Sequence, residues 1–467
     1  MERVVHFSKA YHNATTLHPI GAALFFCLAA GMFLLPRRFM GLPIFALVCF
    51  VTTAQRVSIA GLDFDLLRLM ILVGHFRIFW RSEFLHFRWK PIDIAIVTWG
   101  IVGTITYLVS HSDFMDLSQT GVSPLTKAAA VYRSGQLFDQ FGLYFLFRLM
   151  LRDWEDVEAA IRCLIWVSIP LAFTFLYEKQ TEHNPFAIFG GVPEHTLVRS
   201  GRARAQGAFS HPIIAGVFFA TMLPFVVVRW LKPQGNRREA FFGIFAFLTI
   251  VYSCSSSTPI MAIGFALAAA MMYPFRRYLG FFRWSVFGFL VLIHFARDKP
   301  VWHLIARVNI IGGTGWHRFH LMDQWIKRWD EWFLFGTKDT VHWGWGLGDV
   351  TNEYVAESVR GGFFELLCFM TILLLCFQAI GRLGRLNEPR RYDFFCVWAI
   401  GCALFSHVMS FISVSYFGQA KVVWFFLLAT ISTLSPVPKL KMRRAYSPKI
   451  KTKPIDPLAI YAPREAQ

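Results

Sequence analysis

A near-continuous series of apolar stretches makes up this chain, and one polar segment, from Asp298 to Arg360, interrupts it. A helix needs about 20 apolar residues to cross the roughly 30 Å of hydrocarbon in a bilayer. Runs of that length lie near residues 19–36, 91–110, 158–177, 209–229, 258–275, 279–296, 363–381, 392–412 and 418–435, and shorter candidates near 42–55, 64–80, 135–151 and 239–253. The pattern predicts an all-α polytopic membrane protein with about 12–13 transmembrane helices and one large polar loop.

Composition supports this class, because only 16% of the 467 residues are charged and 55% are hydrophobic. A soluble domain carries about a quarter charged residues. The formal charge of +18 alone would fit a nucleic-acid-binding protein, but the basic residues form short clusters between the apolar runs. Such clusters are the usual signal of membrane topology, so we expect no nucleic acid as a partner.

Sidedness is read from the C-terminal end, where Lys and Arg residues are dense after Pro438. By the positive-inside rule, residues 438–467 form a basic cytoplasmic tail. Counting spans backwards from this tail puts residues 298–360 in a periplasmic loop. The chain then divides into transmembrane helices over 1–297, the loop, C-terminal transmembrane helices over 361–437, and the tail.

A smaller periplasmic loop, at 178–206, breaks the charge rule because it contains Arg199, Arg202 and Arg204. Basic residues on this side oppose the insertion bias, which favours a function for them. Guanidinium groups suit phosphate and diphosphate, so we predict an anion site here. The alternative is that these arginines pair with Glu194 or with lipid head groups.

Two arginines are the main candidates for holding an anion. Arg204 precedes Gly207, which allows a close backbone turn, and Pro212, which fits the first turn of a helix. Arg204 would then lie beside a helix N-terminus, where amide groups and the helix dipole also attract anions. In the large loop, Arg318 starts a Trp-rich segment that predicts an amphipathic helix along the interface; the alternative is that this helix is only a lid.

The large loop also carries the segments GWGLGD and TNEY. Gly346 and Gly348 would allow close approach of backbone to a ligand. Sugar hydroxyls need mixed polar partners, and the loop supplies them. The candidate substrate-binding side chains are Thr351, Asn352, Tyr354 and His317, together with Arg199 and Arg202. Glu353 is the candidate base that removes a proton from an acceptor hydroxyl; alternatively it pairs with an arginine of the loop.

A metal site is the weaker interpretation of the same loop. His317, His320 and Asp323 repeat at a spacing of three and would share one helix face. No second cluster of ligand-type residues accompanies them in the sequence. We therefore expect no metal and no other cofactor.

These features resemble the bacterial O-antigen ligase and O-antigen polymerase family of membrane glycosyltransferases. The resemblance rests on an Arg followed by Gly-x-Phe at the start of a mid-chain span (Arg204, Gly207, Phe209), a Ser-rich turn at Ser253–Ser257, and one large late loop. Within that loop the matching positions are Arg318, Gly346, Gly348, Asn352, Tyr354, Gly361 and Gly362.

The resemblance implies a GT-C-like, metal-independent glycosyltransferase of the bacterial inner membrane, with its active site toward the periplasm. Its partners would be an undecaprenyl-diphosphate-linked oligosaccharide donor, a glycan acceptor and membrane lipids, with a chain-length regulator as a further candidate. Arg204 and Arg318 would hold the diphosphate and stabilise the charge that develops as it leaves. Together with Glu353, they are the predicted catalytic residues.

One position departs from the family pattern. Ligases of this family usually have His where this chain has Thr351. Since Thr cannot act as the base proposed for that His, the prediction favours a polymerase of lipid-linked repeat units of O-antigen or exopolysaccharide. The alternative within the same chemistry is an O-antigen ligase or a protein O-oligosaccharyltransferase. A transporter or flippase of lipid-linked sugars is the rival of another class, and internal repeats would favour it.

Overall fold

The computed structural model describes residues 15–111, 124–307, 315–387 and 391–436, and these are mostly helical. The predicted basic tail at 438–467 lies outside the described residues. The helices of the first half are α1 (Pro19–Leu34), α2 (Gly41–Phe50), α3 (Leu66–Trp80), α4 (Pro91–His111), α5 (Pro124–Met150), α6 (Trp154–Thr181) and α7 (Pro212–Trp230). Those of the second half are α8 (Arg237–Ser253), α9 (Ser257–Met271), α10 (Leu279–Ala296), α11 (Gly315–Lys327), α12 (Trp329–Trp332), α13 (Glu353–Asn387), α14 (Arg391–Ser410) and α15 (Ala420–Leu434).

Every apolar run that the sequence predicts as a span contains a helix. Six of the helical segments within the described ranges are long and apolar enough to cross a membrane by length and composition: Pro91–His111, Trp154–Thr181, Pro212–Trp230, Arg276–Ala296, Glu353–Asn387 and Tyr392–Ser410. Three shorter apolar helices are α1, α9 and α15. An α-helical membrane protein is therefore supported, and the higher count of 12–13 crossings stays a prediction.

Short strands lie only in connections among the described residues. β1 (Arg56–Ile59) pairs with β2 (Leu62–Asp65), and β3 (Val198–Arg199) pairs with β4 (Arg202–Ala203), both antiparallel. Asp65 ends β2 and caps α3, since its side chain accepts a hydrogen bond from the backbone N–H of Arg68 at 2.8 Å. Both hairpins thus connect helices without forming a larger sheet.

The polar segment is a folded unit rather than an open loop. Leu321, Trp332, Trp343, Leu347 and Val355 form a small hydrophobic cluster of their own. It joins α11, α12 and the GWGLGD segment to the first turns of α13. The predicted Trp-rich helix is present as α11, while its position at the membrane interface stays a prediction.

A break divides α13 close to the predicted boundary at residue 361. Gly361 and Gly362 have non-helical dihedrals, with φ of 72° and ψ of −165° at Gly362. Only glycine adopts such a conformation readily. A β-carbon at Gly362 would lie 2.4 Å from the carbonyl oxygen of Leu334, because the loop backbone rests directly on the break.

Replacing this glycine should therefore destabilise the protein. We expect Gly362→Ala to lower the free energy of unfolding by about 2–4 kcal/mol, from backbone strain and overpacking together. Gly264→Ala is the matched control, because nothing lies within 4 Å of its added β-carbon. Thermal unfolding of the purified protein in detergent measures both; equal midpoints for the two variants would contradict the strain argument.

Candidate functional site

The turn before α7 is built around a carboxylate that the sequence did not single out. Glu178, at the end of α6, accepts hydrogen bonds from the backbone N–H groups of Gln206 at 3.0 Å and Gly207 at 2.8 Å. Gly207 has φ of 56°, and a β-carbon there would lie 2.6 Å from the ring of Phe175. The predicted close turn at Gly207 is confirmed, and it fixes the direction in which the chain leaves Arg204.

Arg204 is buried beside this turn with only 7% of its surface exposed. Its Nε has no hydrogen-bond partner, and no carboxylate of the described residues forms an ion pair with its guanidinium. Arg199 and Arg204 both lie close enough to act electrostatically on His211, whose side chain caps the start of α7. A buried cation without a counter-ion is costly, so this position favours binding of an anion.

Arg318 reaches the same region from the large loop. Its side chain is 9% exposed and donates a 2.9 Å hydrogen bond to the hydroxyl of Thr258, in the first turn of α9. Burial, and then the positive charge of nearby Arg199, lowers the pKa of the Arg318 guanidinium. Arg199 acts in the same way on Arg204. Two predicted catalytic arginines from distant parts of the chain therefore share a neighbour.

The β3–β4 hairpin supplies the remaining predicted arginines. Arg199 and Arg202 are directly opposite each other across the two strands, and both are exposed. Ser200 and Gly201 turn the chain between them with φ of 53° and 70°. Like charges placed opposite each other destabilise a hairpin, so an anion between or beside them would stabilise it.

Lys179 is a further cation here that the sequence analysis missed. Its Nζ donates hydrogen bonds to Ser255 Oγ at 2.6 Å and to the carbonyl oxygen of Ala203 at 3.3 Å, and lies over the Tyr252 ring. Its position within the basic loop 178–206 could have identified it from the sequence. Within the described ranges, none of the five cations Lys179, Arg199, Arg202, Arg204 and Arg318 forms an ion pair with a carboxylate.

The arrangement at the other end of the bundle is different. Five basic residues there form ion pairs: Arg37 with Asp156, Arg148 with Asp93, Lys232 with Glu158, and Arg162 and Arg229 with Glu239. We call the end that carries Arg204 and Arg318 the site end. The site end brings Arg199, Arg204 and Arg318 close to one another without a carboxylate partner among the described residues, which suits the binding of an anion.

Glu353 lies at the site end, at the first residue of α13. One carboxylate oxygen accepts a 2.6 Å hydrogen bond from the backbone N–H of Tyr416, and the other lies 3.3 Å from Arg360. The pairing with an arginine of the loop is thus present, and the role of Glu353 as a base stays a prediction. The segment after Tyr416 returns to the turn before α7, where Gln419 bonds the backbone of Ala208 and Ser210. One short segment, from residue 416 to residue 419, is thus hydrogen-bonded both to Glu353 and to the chain that follows Arg204.

The neighbours of Glu353 serve the helix in this structure. Asn352 caps α13, since its side-chain oxygen accepts hydrogen bonds from the N–H groups of Tyr354 and Val355. The Tyr354 hydroxyl donates to the carbonyl oxygen of Val408 at 2.8 Å inside the bundle. Thr351, by contrast, has a buried hydroxyl oxygen without a partner. Of the TNEY residues, Thr351 is therefore the one whose side chain is available to a ligand.

The glycines of GWGLGD bring the loop backbone against α11. A β-carbon at Gly346 would lie 3.7 Å from the His317 ring, and one at Gly348 would lie 3.0 Å from Val341. The groups next to these glycines are side chains of the same loop, and their close approach to a ligand stays a prediction. No group of three or more potential metal ligands gathers in the part of the chain that the structure describes, and His317 is placed against the glycine loop.

A buried charged network next to Glu353 was not predicted. Glu357 accepts hydrogen bonds from Arg360 at 2.6 Å and from the Trp99 indole at 2.7 Å. Arg133 donates to Glu365 at 2.7 Å, across α5 and α13. These residues are far apart in sequence and show no shared spacing, so only the packing of α4, α5 and α13 brings them together.

No model of a known protein family matches this chain, and no curated protein matches it. The resemblance drawn from the motifs therefore stays a prediction. The fold adds an independent observation, which is that Arg199, Arg204 and Arg318 come together at the site end without carboxylate partners.

The polar segment contains a contact that depends on pH. Glu331 accepts hydrogen bonds from Trp343 and His342, both at 2.7 Å, and from Arg328 at 2.8 Å. Although burial opposes the shift, these bonds lower the pKa of Glu331 to about 2. The hydrogen bond with Glu331 in turn raises the pKa of His342 above its ordinary 6.5.

The stabilisation from His342 should be complete below pH 6.5 and should be lost as the pH rises through the raised value. We expect the amides of residues 341–344 to exchange hydrogen slowly at pH 6 and severalfold faster at pH 8.5, after correction for the intrinsic rate. Hydrogen-exchange mass spectrometry measures this, and Glu331→Gln should remove the dependence. Equal protection at both pH values in the unmodified protein would contradict it.

Proposed function

We propose that the chain is a membrane glycosyltransferase that polymerises lipid-linked polysaccharide repeat units. The donor would be a glycan on undecaprenyl diphosphate, and transfer would occur at the periplasmic face of the bacterial inner membrane. The fold would be GT-C-like, with the site end toward the periplasm. The observation that carries the proposal is the buried guanidinium of Arg204 without a carboxylate partner among the described residues, near Arg199, which is in turn near Arg318.

The charge and geometry of the site end support a diphosphate ligand. A diphosphate carries several negative charges on oxygens that accept from guanidinium forks. Arg204 lies close to His211, which caps the start of α7, and the Arg318 side chain contacts the first turn of α9. The dipoles of these two helices add positive potential there. As the glycosidic bond to the diphosphate breaks, negative charge grows on the leaving oxygens, and these fixed charges stabilise it.

Glu353 remains the proposed group that activates the acceptor hydroxyl. Its carboxylate is fixed by the backbone of Tyr416 and by Arg360, which orients it. Thr351 precedes it with an unpaired hydroxyl that suits a sugar hydroxyl. An O-antigen ligase is the alternative function in the same chemistry, and the acceptor distinguishes the two.

Substitution of the two arginines tests the diphosphate site. We expect Arg204→Ala and Arg318→Ala each to reduce transfer by about 10²–10³-fold, because each removes a charge that stabilises the leaving group. The measurement is reconstitution with a lipid-diphosphate-linked repeat unit and gel analysis of the product, in which a ladder of lengthening glycans indicates a polymerase. Transfer only to lipid A-core or to protein would instead indicate a ligase.

The matched control for these variants is Arg38→Ala, an arginine at the opposite end that is half exposed and pairs with Glu155. It should retain unmodified activity. Arg204→Lys should retain more activity than Arg204→Ala, since it keeps the charge but loses the fork. Full activity in both alanine variants, with folded protein, would refute the diphosphate site.

The role of Glu353 is tested separately by Glu353→Gln in the same assay. Gln keeps the size and one acceptor oxygen, so the Tyr416 contact is preserved while the base is removed. We expect turnover to fall by about 10²–10⁴-fold with little change in the affinity for the donor. Glu357→Gln, one helical turn away, is the control for loss of charge in the buried network; an equal effect in both would assign Glu353 a structural role.

A further inference from the structure

One tryptophan of the polar segment is held almost entirely in solvent. Trp345 is 90% exposed, the highest value of any large hydrophobic side chain among the described residues. It stands between Gly344 and Gly346, whose φ angles are 152° and 75°. Leaving an indole in water is unfavourable, so an exposed position of this kind is typical of a binding surface.

The backbone that carries Trp345 is firmly anchored. Leu347 is fully buried in the small cluster of the polar segment, and its carbonyl oxygen accepts a 2.6 Å hydrogen bond from the Thr340 hydroxyl. The N–H of Leu347 donates to the carbonyl oxygen of Gly344 at 3.1 Å. The turn is therefore rigid, and its exposed indole is presented in a fixed orientation.

Aromatic and imidazole rings of α11 lie beside this turn. The Trp316 ring stacks on the His320 ring with centroids 4.8 Å apart, and Trp316 is itself 58% exposed. A β-carbon at Gly344 would lie 2.8 Å from Nε2 of the same His320. His317 lies against Gly346, on the other side of Trp345 in the chain. The imidazole rings of His320 and His317 therefore lie against the two glycines that flank the exposed Trp345.

We propose that Trp345 and Trp316, with His317 and His320, form a carbohydrate-binding surface for the sugar rings of the glycan. The C–H groups on one face of a pyranose carry slight positive charge and stack on the negative face of an indole. The imidazole nitrogens can then exchange hydrogen bonds with the ring hydroxyls. The surface extends from the same helix that places Arg318 at the site end, so this inference rests on the proposed function.

The position of the surface favours sugar over lipid as its occupant. The polar segment has a second exposed apolar group, formed by Trp329, Leu334 and Phe335. That group lies beside the break in α13, where the backbone of Leu334 contacts Gly362. The neighbours of Trp345 along the turn are instead glycines, and the rings that lie against this turn are those of His317 and His320.

The test uses the full chain in nanodiscs and neutral reducing oligosaccharides, released by mild acid from the lipid-linked glycans of the cells that make the protein. These probes lack the diphosphate, so they report on the sugar surface alone. We expect saturation-transfer NMR to show contact of the sugar protons with the unmodified protein, and at least a threefold weaker signal with Trp345→Ala. Trp345→Tyr should restore most of it, because a ring is again present.

Trp329→Ala is the matched control, since it removes an exposed indole from the other apolar group, and it should leave the signal unchanged. Arg204→Ala should also keep the signal while losing transfer, so that failure of the sugar surface and failure of the diphosphate site are separate results. The inference would be overturned if the unmodified protein transferred no saturation to the oligosaccharide. Quenching of Trp345 by brominated lipids, seen as a difference from Trp345→Tyr, would place it in the bilayer and overturn it as well.

Discussion

The site end depends on one unbalanced charge, the guanidinium of Arg204 buried without a carboxylate. Burying a cation costs free energy, so the surrounding structure must hold it in place. Glu178 does so indirectly, because it fixes the backbone of Gln206 and Gly207 and leaves Arg204 itself unneutralised. The carboxylate of Glu178 thus shapes the turn, and the positive charge of Arg204 stays available to a ligand.

The cations around Arg204 differ from several arginines at the other end of the bundle. At that end, carboxylates on neighbouring helices neutralise Arg148 and Arg37 and hold the helices together. Around Arg204, two cations have hydroxyl partners instead, Arg318 with Thr258 and Lys179 with Ser255. Neutral partners fix the position of a cation but leave its field intact. Basic residues that look alike in the sequence therefore differ in their electrostatic surroundings in the fold.

Helix positions could be predicted from the sequence because a span is a local property of about twenty consecutive residues. The meeting of Arg199, Arg204 and Arg318 was partly predictable, since their order along the chain suggested one side of the membrane. The Glu365–Arg133 pair was not, because it depends on how α5 packs on α13. Asn352 was assigned to substrate for its amide, yet the start of a helix needs the same group as a cap. Local chemistry alone does not distinguish these two uses.

The break in α13 has a consequence for how this chain can vary. The backbone of α13 is not helical at Gly361 and Gly362, and backbone groups near this break form hydrogen bonds with the polar segment instead. The N–H of Phe363 donates to the carbonyl oxygen of Phe333 at 2.7 Å, and that of Thr337 donates to the carbonyl oxygen of Val359 at 2.8 Å. Backbone groups near the membrane need such partners. The loop therefore cannot be exchanged independently of the helix. A loop taken from another protein must place the backbone of residues 333–337 in the same position, so substitutions in the two parts depend on each other.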